Sequence, residues 1–170
     1  QATESWLKAM VANMARKPKG GDTDQIRGVA SGECGVAVTN TYYLARILSS
    51  KKPEDLQVAD RVGVSFPNQS SWGTHVNIAG GAVAKHAPHR DHAIRFLEYL
   101  ATPEAQAHFA NGNNEWPANP KVQFDNLPLK TMAPAGFKSE TIPVGRIGAN
   151  QTRIQQMLDN CPKRQAIELL

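Results

Sequence analysis

Helix-period segments alternate along this chain with short apolar runs of strand character, and that alternation limits the fold more than any other feature. Thr3 to Met14 repeats at helical spacing, as does Tyr43-Leu44-Ala45-Arg46-Ile47-Leu48. Between and after them stand Gly35-Val36-Ala37-Val38, Val62-Gly63-Val64-Ser65-Phe66-Pro67, His75-Val76-Asn77-Ile78 and Gly81-Ala82-Val83-Ala84. The pattern predicts an α/β protein, with strands over 34–39 and 62–67 and a strand pair or one bent strand over 75–78 and 81–84, in a sheet flanked by helices. Helices are expected over 3–14, 42–50, 89–101 and 103–110. A further helix runs from Asp22, paired with Gln25 as its cap, to about Ser31. Lys51 to Asp55 reads as a break around Pro53, and Asn68 to Gly73 as an exposed turn-rich link.

The stretch Asn40-Thr41-Tyr42-Tyr43 falls where a strand hands over to a helix, with Asn40 or Thr41 as cap. Adjacent side chains diverge by roughly a hundred degrees around a helix, so a tyrosine pair shares one ligand most easily at such a junction. Two phenolate oxygens there suit a hard, highly charged cation. The helix N-terminus assists loss of the phenolic proton by roughly 0.3–1 kcal/mol. With an unperturbed pKa near 10, the phenols still need the cation to displace most of their protons. The competing reading is structural, with one tyrosine in the core and one at the surface.

Several separated motifs carry a resemblance, in this order: Gly20-Gly21-Asp22-Thr23-Asp24-Gln25-Ile26, Asn40 to Arg46, Gly73-Thr74-His75-Val76-Asn77-Ile78-Ala79-Gly80-Gly81, Phe96 to Leu100 with Pro103-Glu104-Ala105-Gln106, and Gly112-Asn113-Asn114-Glu115-Trp116-Pro117. Over residues 3 to 158 the chain resembles the C-terminal half of bacterial periplasmic ferric-iron-binding proteins, the capture components of iron(III) ABC importers. The resemblance implies part of a two-lobed type II periplasmic binding protein fold, with Fe(III) in the cleft. It places Tyr42 and Tyr43 at the family's tandem tyrosine ligands. Asn40 matches a position that touches a synergistic anion in some members, and Asp22 stands where those members carry Asn. An acidic residue there repels a carbonate or phosphate, which points toward the members that rely on more tyrosines.

The same resemblance implies a lobe order: 1–66 in the C-terminal lobe, 67–73 as crossover, 74–118 in the N-terminal lobe, and 119–170 returning with an atypical tail. It implies as partners an ABC importer permease and the missing N-terminal half, and a periplasmic location. The chain starts inside an expected helix and shows no charged-then-apolar leader, so a fragment is expected. Two alternatives accompany this reading. One is a periplasmic protein for another small anion or an organic solute. The other is an incomplete piece without binding of its own.

The remaining features narrow the classes. No run approaches the ~20 apolar residues of a membrane span, so direct membrane insertion is not expected. The net charge of +4 is scattered, and Arg16-Lys17-Pro18-Lys19 reads as a solvated loop, so no nucleic-acid partner is expected. Phosphate loops, G-x-S-x-G elbows and H-E-x-x-H motifs are missing, which argues against an enzyme. His86, His89 and His92 are spaced by three but lack companion ligands, and read as a solvated face. Cys34 reads as a small core residue and Cys161 as an exposed one. Whether they pair is not fixed by their spacing.

Overall fold

The structure is a computed structural model that describes residues 2–17 and 19–159. Its helices, in chain order, are α1 (Ala2–Ala12), α2 (Asp22–Ala30), α3 (Thr41–Leu48), α4 (Pro53–Ala59), α5 (Arg90–Leu100), α6 (Pro103–Asn113), α7 (Leu127–Met132) and α8 (Val144–Asp159). The chain divides into two compact units. One comprises the residues up to Gly63 together with those from Thr141, and the other is Val64–Glu140.

In the first unit α2, α3 and α4 pack on one another. Leu44, Ala45 and Ile47 of α3 are buried, as are Ile26 and Ala30 of α2. Burying Leu44 and Ile47 stabilises the unit by about 2 kcal/mol each. Arg27 of α2 reaches across to Asp55 of α4 at 3.0 Å, which ties two helices through a nearly buried carboxylate. The Ser50 hydroxyl, and after it Arg27, hold the Asp55 carboxyl below the usual carboxylate range. α1 buries Leu7 and Val11, and Val11 packs against Met14 and Leu158.

Two local expectations shift. Pro53 begins α4 rather than breaking the chain, because its fixed φ and missing N–H suit the first helical position. At α2 the cap is Gly21, and Asp24 rather than Gln25 closes it: the Gly21 N–H donates to Asp24 Oδ2 at 2.9 Å. Gln25 instead donates to the Lys19 carbonyl at 2.7 Å.

The second unit pairs α5 with α6. Thr102 caps α6, with Pro103 at its first turn, and Asn114 ends it in a left-handed conformation at φ 60°. Asn126 is buried and works three ways. Its carbonyl caps α7 by accepting from the Leu129 N–H at 3.0 Å, while its amide donates to the Ala110 carbonyl and to Asn114 Oδ1 at 2.9 and 2.7 Å. Trp116 meets Phe124 and Phe137 edge-on, and Phe66 stacks on Phe137 with centroids 4.4 Å apart.

The expected sheet is not formed among the described residues. Segments 34–39, 62–67, 75–78 and 81–84 form no ladder, and the pairing seen is one parallel bridge, Thr74 to Ser139. A strand exists only through a partner that takes its N–H and C=O groups, and among the described residues no neighbouring strand pairs with these segments. Among the described residues the named elements are helices, so the α/β class expected from the sequence is not confirmed by them. At the bridge, Gly73 lies so close to Ser139 that a Cβ would sit 2.7 Å from its backbone, and its φ of 99° also requires glycine. Gln69 clamps the same place by accepting from the Lys138 N–H and donating to the Lys138 carbonyl, and His75 pairs with Glu140.

Candidate metal centre

The α2 and α3 N-termini bring together all four residues singled out in the sequence. Asn40 caps α3 in extended conformation, and Asp22 opens α2. The Asp22 carboxylate accepts from the Asn40 backbone N–H at 2.8 Å and from its side-chain amide at 3.3 Å, binding one helix start to the other.

Tyr42 and Tyr43 fall in the first turn of α3, both half-buried. Although consecutive on a helix, their rings converge, with centroids 4.4 Å apart and planes tilted by 38°. Arg46 lies one turn on, at i+4 from Tyr42 and i+3 from Tyr43, and its guanidinium carbon sits 5.3 Å from each ring centroid. Arg46 was not among the site residues named from the sequence. Its helical spacing from both tyrosines was the available signal.

The electrostatics favour a neutral Tyr42. Hydrogen bonding with the Tyr43 phenol raises its pKa above the ordinary value, and burial and the nearby Asp22 carboxylate push the same way. Arg46 opposes them. A cation entering between the phenols must displace protons, and the more highly charged the cation, the more readily it does so.

Elsewhere the expected metal mimics do not assemble. Among the described residues no three His, Cys, Asp or Glu side chains cluster for metal binding. His89 and His92 stack with centroids 5.9 Å apart on the exposed start of α5, and His86 sits in a turn before it. His108 contacts the Phe109 ring. Cys34 is half-buried and free, whereas Cys161 lies outside the described residues. Among the described residues no helix is long and apolar enough to cross a membrane.

Comparison with known proteins gives this geometry its setting. Residues 1–136 match the profile of the bacterial extracellular solute-binding proteins. Iron uptake protein A2 of Synechocystis is 45% identical over 151 residues, which cover 88% of this chain and 43% of that protein. The Trichodesmium IdiA/FutA structure in complex with iron and citrate is 47% identical, with a TM-score of 0.85 over 92% of this chain and 48% of that one. A ferric binding protein from Campylobacter jejuni is 38% identical, with a TM-score of 0.83 and the same coverage. The chain therefore spans slightly less than half the length of these relatives. With most of its residues matched by that family profile, the chain belongs to the bacterial extracellular solute-binding protein family.

Proposed function

We propose that this chain is part of a non-enzymatic, periplasmic solute-binding protein that captures ferric iron through the Tyr42 and Tyr43 phenolates and delivers it to the permease of an ABC importer. The observation that carries the reading is the convergence of two consecutive tyrosine rings to 4.4 Å at a helix N-terminus beneath one guanidinium. Relatives named for iron uptake and ferric binding support it. Hard anionic oxygen donors match a hard trivalent cation better than thiolates do.

In this reading Asn40 and Asp22 form the layer behind the ligands, and Arg46 supplies positive charge for a synergistic anion, the role citrate suggests in the Trichodesmium complex. The two-lobed type II fold belongs to the same proposal, with 1–66 and 119–170 in the C-terminal lobe, 74–118 in the N-terminal lobe, and 67–73 crossing between them. So does its α/β character. The unpaired extended segments become strands when an N-terminal half supplies their neighbours. Cleft closure then traps the ion.

The test is a visible-absorption titration with chelated ferric iron, on the chain as it stands and on the Tyr42→Phe, Tyr43→Phe double variant. A ferric-phenolate charge-transfer band that disappears in the variant is the expected result. A band of equal strength in the variant overturns the assignment of these ligands.

A further inference from the structure

His89 and His92 open α5, the first as its cap residue and the second in its first turn, and both are exposed. Side chains three apart on a helix are neighbours, and here the two imidazoles stack with centroids 5.9 Å apart and planes 22° from parallel. Among the described residues no hydrogen bond or ion pair engages either ring, so their nitrogens are left to solvent. His75 differs, because its Nδ1 is taken by Glu140.

We propose that His89 and His92 chelate a divalent late transition-metal ion of the copper, nickel or zinc type, at a site chemically distinct from the tyrosine pair. An ion about 2.0–2.1 Å from a ring nitrogen stands about 3.2 Å from that ring's centroid, so one ion can join two rings up to about 6.4 Å apart. At 5.9 Å the pair lies inside that limit. The nearly parallel planes must still open, and each exposed ring can turn about its own χ2, a soft torsion, to aim one nitrogen at a shared point. The donors select the ion. Neutral imidazole suits copper, nickel and zinc, and copper(II) most strongly, whereas a hard ferric ion prefers anionic oxygen. The helix start carries partial positive charge, but Asp91 stands in the same first turn, and at an exposed site the charges of Arg90 and Arg95 are screened by salt and water. With two protein ligands the site is open, and water completes the shell.

The experiment titrates the full chain with copper(II) chloride by isothermal calorimetry, in a Cys34→Ser, Cys161→Ser background that removes the thiols as competing ligands. An electron paramagnetic resonance spectrum is recorded at one equivalent. The expected result is one ion per chain with splitting from coordinated nitrogen. His89→Ala and His92→Ala should each weaken binding by at least about tenfold, since even a group behind a metal ligand costs that much. Both positions are exposed, and circular dichroism verifies that the helices are retained. His108→Ala, at an exposed position of α6, should leave the affinity unchanged, as should the Tyr42→Phe, Tyr43→Phe variant. Affinity retained in both His89→Ala and His92→Ala overturns the proposal, as does the absence of saturable binding. A site lost in His108→Ala or in the tyrosine variant also overturns it, since the ion is then held elsewhere.

Discussion

Asp22 grips Asn40 by both its backbone N–H and its side-chain amide, so the start of α2 fixes the cap of α3. Asp22→Ala leaves a half-buried backbone N–H without its acceptor and should destabilise the protein by about 1 kcal/mol, read from urea unfolding. Asp22→Asn keeps an acceptor but removes the charge. It should lower the Tyr42 pKa, because the carboxylate is one of the groups that raise it. Ultraviolet difference titration of the phenols reads this directly.

Tyr42 makes stability depend on alkaline pH with a defined sign. Its folded pKa lies above the ordinary value, so the folded state retains the proton longer than the unfolded state. The associated stability is present below pH ~10, the ordinary tyrosine value, and is lost as pH rises through the folded pKa. Tyr42→Phe should remove that alkaline loss, measured as melting temperature against pH.

The proposed iron capture carries its own pH dependence. Because Tyr42 is held neutral, capture through it, as proposed, would release phenolic protons, and affinity should fall steadily on acidification from neutral pH. A competition titration against a chelator of known affinity, run at several pH values, measures the slope. In the double phenylalanine variant the slope should flatten.

Arg46 opposes the groups that keep Tyr42 protonated. Arg46→Gln should therefore raise the Tyr42 pKa further and, because it removes the charge proposed to hold a synergistic anion, weaken ferric iron by several-fold when citrate is present. Arg46→Lys keeps the charge and should restore most of the affinity, though without the planar contact over both rings. Comparing the two variants by absorption titration separates charge from stacking.

Asn126 is the most connected polar side chain of the second unit. Asn126→Ala removes the α7 cap and strands the Ala110 carbonyl, for an expected loss of about 1–3 kcal/mol. The iron binding proposed at Tyr42 and Tyr43 should be unaffected once the protein is folded, since Asn126 lies in the other unit. Chemical denaturation paired with the absorption titration checks both statements.

Helices were legible because their signals are local. Thr102 before Pro103 and the apolar spacing of Leu44, Ile47 and Leu48 mark α6 and α3 with information carried in a few residues. Strands were not, because the alternation in Val62 to Phe66 specifies which face a segment offers and says nothing of what pairs with its backbone. α7 and α8 were missed altogether. α7 is six residues long, and α8 interrupts its apolar spacing with Gly145 and Gly148. The four site residues could be named in advance because they cluster in two short motifs. Their convergence could not, since the Asp22–Asn40 hydrogen bonds join residues 18 apart.

The bare extended run before α3 has a practical corollary. Val36 and Val38 are 85% and 73% exposed on a segment whose amide edge faces no ladder. Such an edge templates stacking of one molecule on the next, so concentrated stocks of this chain should turn cloudy on storage. Lysine at position 36 or 38 is the conservative remedy, because a charge on that edge discourages the first pairing without touching the tyrosines.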